Sequence, residues 1–323
     1  MSVAAALLKP LIATVGRDKL SILIYHRVHK EADPIFPEEQ DARRFDAQLE
    51  RITKSFHVMP LPDAVAALNT GGLPSGAVCI TFDDGYADNA EIALPILRRH
   101  AVSATFFIST GFLDGGRMWN DSVIESIRRA STQVLDLRTI GLGVHDIGGW
   151  AARRAAIQDL IGQLKYLPQD ERQEKVDHIE QAVGERLPND LMLRSEQVRA
   201  LVDASMTVGA HTMSHPILAR LPAAAARREI AAGRETLESI IGKPVTLFAY
   251  PNGKPGDDYT LEHVTMVREL QFQAAVCTAW GAASKDDDLF QLPRFTPWDQ
   301  SAWRFSLRLT GNLLRQATTL QNT

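Results

Sequence analysis

Cysteine is scarce in this chain: Cys79 and Cys277 are the only two among 323 residues. Both stand in apolar runs, which excludes a disulfide framework and a thiolate metal site and predicts two buried free thiols. No stretch reaches the eighteen or more apolar residues that a membrane-spanning helix needs. The segment from Met1 to Pro10 has no basic residues ahead of its apolar run, and Lys9 and Pro10 cut that run short, which speaks against a cleaved secretory signal. The expected location is therefore cytoplasmic. Excess positive charge is also missing, and a net charge of -4 excludes a general nucleic-acid binder. Repeats and low-complexity linkers are absent. What remains is a chain 45% hydrophobic, able to bury a large core and long enough for one domain with an insertion.

The chemistry begins at residues 78–84, Val-Cys-Ile-Thr-Phe-Asp-Asp, where an apolar run ends in two adjacent carboxylates followed by Gly85-Tyr86. Such a run fits a strand buried on both faces, and its C-terminal end is where α/β sheets place reacting groups. Two like charges facing one pocket would split their pKa values unless a cation held one of them ionised. The run His211-Thr212-Met213-Ser214-His215 supplies partners for that cation. Two imidazoles and one carboxylate form a three-ligand site with a position left for water, as a hydrolase requires. Either half alone is commonplace, since a double Asp before Gly often just ends a strand. The combination, each half following its own apolar strand pattern, predicts a metal site.

Thr81-Phe82-Asp83-Asp84-Gly85 followed by His211-Thr212-x-x-His215 resembles the polysaccharide deacetylases, the metal-dependent carbohydrate esterase family 4, from about Ile22 to Trp298. The resemblance implies that Asp83 is the general base and that Asp84, His211 and His215 hold one divalent metal ion. Zinc suits that ligand set, and cobalt or nickel are the alternatives. It also implies an α/β fold, a distorted (β/α)7-type barrel. Two family motifs depart from pattern. Phe248-Ala249-Tyr250-Pro251-Asn252-Gly253 has Ala249 where an Arg orients the base, while the turn is kept, so the Asn252 N–H is the expected oxyanion donor and Tyr250 and Pro251 the expected substrate contacts. The late strand Leu292-Pro293-Arg294-Phe295 lacks the usual His acid.

Ser21-Ile22-Leu23-Ile24-Tyr25-His26 offers the replacement, because the first and last strands of a closed barrel are neighbours. His26 is then the acid, as in the exopolysaccharide-type branch of the family with its N-terminal Tyr-His motif, and Arg294 takes the place of the missing Arg beside Asp83. The implied reaction is hydrolysis of N-acetyl, or less often O-acetyl, groups on an amino-sugar polysaccharide or its lipid-linked precursor. A non-catalytic carbohydrate-binding relative is the alternative. An aspartyl phosphotransferase would need Asp-x-Asp rather than a contiguous pair. Trp298 is the aromatic residue best placed to stack on a sugar.

Strand-like runs near 20–25, 77–83, 103–109, 206–210, 245–250 and 273–278 alternate with helical patterns and predict a parallel architecture over 18–300. Phe45, Leu49, Ile52 and Phe56 keep helical spacing; Ser195 is the expected N-cap of another helix, and Gly242 the expected stop of a third. Residues 113–194 form an insertion with helices of its own, Trp119-Asn120-Asp121-Ser122 starting one, set where it can roof the site. Asp88 and Asp286-Asp287-Asp288 are expected in surface loops. Residues 301–323 read as a C-terminal amphipathic helix, with Arg304, Arg308 and Arg315 on one face and Trp303, Leu307 and Leu314 on another. This helix either docks on the barrel or makes peripheral contact with the inner face of a membrane.

Overall fold

The computed structural model describes residues 10–297, 299 and 301–321. Its strands are β1 (Leu20–Tyr25), β2 (His57–Val58), β3 (Ala77–Phe82), β4 (Thr105–Ile108), β5 (Val134–Asp136), β6 (Val144–Asp146), β7 (Thr207–Ala210), β8 (Leu247–Ala249) and β9 (Ala274–Val276). The apolar runs of β1 and β3 are buried along their whole length, because a parallel sheet covered on both faces leaves no solvent side. Parallel pairing runs β1-β3-β4-β7-β8-β9, with β2 paired to the start of β3. Leu292–Phe295 then joins the two edges. Leu292 bridges Val276 and Phe295 bridges Leu23, with Phe295 N donating to Ile22 O at 2.7 Å and Ile24 N donating to Phe295 O at 3.0 Å. The sheet thus curls into the expected α/β barrel, and its first and last strands meet.

Helices wrap this sheet where the spacing places them. Ala42–Ser55 buries Phe45, Leu49 and Ile52 and is capped by Asp41, whose Oδ1 accepts from Arg44 N at 2.9 Å. Truncating Phe45 to Ala would cost about 3–5 kcal/mol. The helix Ala223–Ile241 stops at Gly242, which takes the left-handed φ of 65°. For Ser195–Asp203 the expected cap is corrected. Ser195 is the first helical residue, and Asp114 reaches across to accept from its N and Oγ at 2.8 and 2.6 Å. Cys79 and Cys277 are buried free thiols.

Between β4 and β7 the chain builds the helices Trp119–Arg129, Trp150–Leu164 and Gln169–Val183 and the antiparallel hairpin β5–β6. Val123, Ile127, Ile157, Leu160, Leu164, Val176 and Ile179 form an apolar cluster separate from the barrel core. Ile35, from the loop after β1, joins that cluster, and Asp33 beside it pairs with Arg128 at 2.6 Å. The loop that carries His26 is therefore clamped to the insertion.

At the C-terminus, Ala302–Asn312 is helical and turns Phe305 and Leu309 inward, with Leu313 just beyond, while Leu307 and Leu314 stay exposed. The Trp303 side chain lies outside the described set. Arg308 and Arg315 lie over the Trp280 ring at 5.3 Å, so the basic face is folded partly onto the barrel. Among the described residues no helix is long and apolar enough to cross a membrane.

Candidate active site

Asp83 leaves β3 with its backbone N–H on Tyr25 O at 2.9 Å, so the β1–β3 ladder aims it. Its side chain is buried at 2% exposure, and both oxygens are engaged by Arg294, at 2.7 Å each. Arg294 is itself 1% exposed and is locked by Nε donating to Cys277 O at 3.0 Å. A buried bidentate guanidinium fixes a carboxylate's plane as well as its charge. Burial alone would raise the Asp83 carboxyl, but the charges of Arg294 and then His211 hold it below its ordinary value.

Asp84 turns the other way. Its φ of 73° puts it in the left-handed region, and Gly85 follows at φ 89°, where a Cβ would come within 2.8 Å of Ile108. The tight turn sends Asp84 Oδ1 to 3.4 Å from His211 Nε2 and 3.3 Å from His215 Nε2. That oxygen is buried and without a hydrogen-bond partner. His211, at 1% exposure, donates from Nδ1 to Ala249 O at 2.8 Å, which leaves the Nε2 lone pair facing Asp84. The three donor atoms lie within 4.8 Å of one another. Edges of 3.3 and 3.4 Å are those of a tetrahedron whose centre lies about 2.0–2.1 Å from each corner, the bond length of zinc to oxygen or imidazole nitrogen. The orphaned oxygen, the free lone pairs and these edges all fit a small divalent cation.

The His211–His215 turn is held under strain. Thr212 and His215 have φ of 65° and 54°, and for a β-branched Thr that conformation is an outlier. Glu229, from the helix over the turn, offsets the strain: its Oε2 accepts from Met213 N and Ser214 N at 3.0 and 2.8 Å, and its Oε1 from Ser214 Oγ at 2.8 Å. Gly233 on the same helix lets the two backbones touch, since a Cβ there would sit 2.6 Å from Thr212. Burial pushes the His215 imidazole down to about 4, so it is neutral and able to donate its lone pair at pH 7. Burial would also lower His211, but the nearby charges of Asp83 and Asp84 raise it instead.

A cavity of about 440 Å³ opens over these groups, lined by His26, Asp83, Asp84, His211, His215 and Asn252 among others. His26 follows β1 directly and takes an exposed position at the rim, with its carbonyl accepting from Asn89 Nδ2 at 2.8 Å. Asn252 adopts φ 57°, its carbonyl accepts from Thr278 Oγ1 at 3.0 Å, and its N–H meets no backbone acceptor among the described residues. Three expected site residues, and one acid expected in a surface loop, need a different account. Tyr250 is fully buried, stacked on Tyr259 at 3.9 Å with its hydroxyl on Phe290 O, so it supports the Asn252 turn from below and touches no substrate. Pro251 is buried in the same turn and does not line the cavity. Trp298 lies outside the described residues. Asp88 is buried at 9% rather than on the surface, where it accepts from Val28 N and Arg27 Nε and ties down the His26 loop.

The insertion adds a group that spacing did not flag. Asp121, in the first turn of its helix, is 3% exposed and lines the cavity; Oδ1 accepts from Tyr86 OH at 3.1 Å, while Oδ2 has no partner. Burial pushes its carboxyl up to about 7, with Arg27 opposing. Only Tyr86, next to the Asp pair, hinted in the sequence at a link from motif to insertion.

The profile of the family described as Polysaccharide deacetylase matches residues 70–275. A curated protein of Bacillus subtilis (strain 168), YxkH, whose name assigns it to the polysaccharide deacetylases, is 20% identical over 285 residues, covering 88% of this chain and 73% of its own. Two solved structures share the fold. The Streptococcus pyogenes deacetylase PplD, in complex with acetate, aligns at TM-score 0.61 with 18% identity over 90% of this chain and 98% of its own. IcaB from Ammonifex degensii aligns at TM-score 0.59 with 19% identity over 91% and 97%.

Proposed function

The chain belongs to the polysaccharide deacetylase family, whose members are hydrolases acting on carbon–nitrogen bonds, and on that premise we propose that it removes N-acetyl groups from an amino-sugar glycan in a metal-dependent reaction. The observation that carries this reading is the unequal treatment of two adjacent carboxylates: Asp83 is clamped by Arg294, and Asp84 is left unpartnered between two imidazoles. A divalent cation, zinc by the tetrahedral edges, would be held by Asp84, His211 and His215 and would supply Lewis acidity toward an acyl oxygen and a water.

The chain's own groups do the rest. Asp83, ionised beside Arg294, accepts a proton from the attacking water as its oxygen bonds to the acyl carbon. The Asn252 N–H faces the oxyanion that develops there. His26, protonated, donates to the sugar nitrogen as the C–N bond breaks, so acetate and a free amine leave. A barrel closed between β1 and Leu292–Phe295 supports this permuted arrangement, in which acid and Arg come from opposite ends of the chain. The Tyr25-His26 pair, which resembles the N-terminal motif of the exopolysaccharide-type branch, supports an exopolysaccharide or its precursor as substrate, and Leu307 on the C-terminal helix with Leu314 just beyond it are the exposed groups through which a peripheral membrane contact would form. Incubation with N-acetylglucosamine oligomers tests the proposal: acetate and primary amine should appear in equal amounts. Acetate release from O-acetylated glycans alone would overturn the N-acetyl assignment.

A further inference from the structure

The cavity over the metal ligands continues into two hollows on the side away from His26, and their charge differs from the rest of the site. The smaller, about 170 Å³, is lined by Asp84, His215 and Asn252 and by Lys165 and Arg172 from the insertion. The larger, about 730 Å³, shares Lys165 and Asn252 and adds Lys254, Trp280 and Arg315. Asn252 lines all three spaces, so the groove is continuous with the catalytic pocket.

Four cations thus converge from separate elements, and among the described residues three form no ion pair with a carboxylate. Lys254 is paired with Asp257. Among the described residues no carboxylate lies within ion-pair distance of Lys165, Arg172 or Arg315, and the Lys165 ammonium lies over the Tyr166 ring at 5.6 Å. Arg172 is half-buried, stacked on Trp119 at 4.9 Å, with only a long contact of 3.5 Å to Lys165 O. Asp258 lines the larger hollow, accepts from Lys254 N at 2.9 Å and feels the charge of Lys165, but no ion pair joins the two, so it offsets the surplus only in part. Asp84 in the smaller hollow turns its Oδ1 to the two imidazoles and forms no ion pair with Lys165 or Arg172. Holding unpaired guanidinium and ammonium groups together around a concavity is costly unless an anion joins them. The opposite wall has no such surplus, because Arg27 is paired with Asp88, and Arg128 with Asp33 and Glu125.

We propose that this basic arm receives a phosphate group of the substrate, so that the preferred substrate is an acetamido sugar linked to phosphate or pyrophosphate. The proposal rests on the deacetylase reading and narrows its substrate class. A phosphate offers several charged oxygens, which suit cations arriving from three sides; a single uronate carboxylate would satisfy one of them.

The test compares N-acetylglucosamine 1-phosphate with methyl N-acetylglucosaminide, ligands differing in the phosphate, by calorimetric titration of the full chain carrying Asp83→Asn so that nothing is consumed. The phosphate-bearing sugar should bind at least tenfold tighter at low salt, and the advantage should disappear in Lys165→Gln/Arg172→Gln but persist in Arg51→Gln, a surface control. UDP-N-acetylglucosamine and farnesyl-pyrophosphoryl N-acetylglucosamine then distinguish a soluble from a lipid-borne source of the same phosphate chemistry. Equal affinity for the first two ligands overturns the proposal. So does a phosphate preference that survives the double substitution, since it would then reside at the Asp84–His211–His215 centre. Acetate release by the unsubstituted chain is scored separately. Turnover without phosphate preference removes this inference and leaves the deacetylase reading standing, and phosphate-selective binding without turnover does the reverse.

Discussion

Asp83 and Asp84 are joined by one peptide bond yet inhabit different regions of the cleft. Around Asp83 the barrel seam provides a buried guanidinium at 2.7 Å, delivered by the last extended segment, and His26 from the first strand stands at the same cavity. Around Asp84 the turn after β7 provides two imidazoles at 3.4 and 3.3 Å and, among the described residues, no Lys or Arg ion pair. One region is satisfied by the protein itself, whereas the other has a buried oxygen that the protein leaves unmet. The contrast teaches how contiguous carboxylates acquire separate tasks: a positive φ at Asp84 points them apart, and each region then sets its own carboxylate's charge.

The contrast can be broken from the seam side first. Asp83→Asn should lower kcat on N-acetylglucosamine oligomers about a thousandfold or more while bound metal, read by elemental analysis, stays stoichiometric. Loss of metal along with activity would place Asp83 among the ligands. His26→Ala comes next, with a loss of about a hundredfold on amides but much less on 4-nitrophenyl acetate, whose leaving group needs no proton. Equal losses on both substrates would remove His26 as the acid.

Arg294→Met sharpens the comparison through pH. Burial raises the Asp83 carboxyl and Arg294 opposes it, so deleting the cation raises the pKa of a base that must be ionised to work. The acid limb of kcat/KM should therefore move to higher pH, with a loss of about 10–100-fold at neutrality that shrinks as pH rises. An unshifted limb would reduce Arg294 to packing. The smallest effect is expected for Tyr250→Phe, within about twofold, because its hydroxyl meets only the Phe290 carbonyl.

Much of this was legible in the sequence for a physical reason. Buried parallel strands write themselves as apolar runs, so β1 and β3 stand where their runs do, and the polar residues at their ends are marked by charge where charge is costly. Features set by contacts between distant segments were not legible. Nothing local announces that Thr212 and His215 take left-handed φ, since Glu229 and Gly233 on another helix impose it. Asp88 read as a loop acid because its partners, Val28 and Arg27, lie some sixty residues earlier. Tyr250 carried a motif's identity into a position where stacking on Tyr259 buries it. Asp121, Lys165 and Arg172 come to the cleft only once the insertion is folded over the barrel.

The central claim is that the Asp84 region is completed by a metal that the reaction requires. Its most direct test is acetate release from N-acetylglucosamine oligomers after exhaustive chelation, followed by titration with zinc. The account predicts activity lost on chelation and restored at one equivalent of zinc, with no restoration in His211→Ala. Activity that persists in the metal-free protein would contradict it.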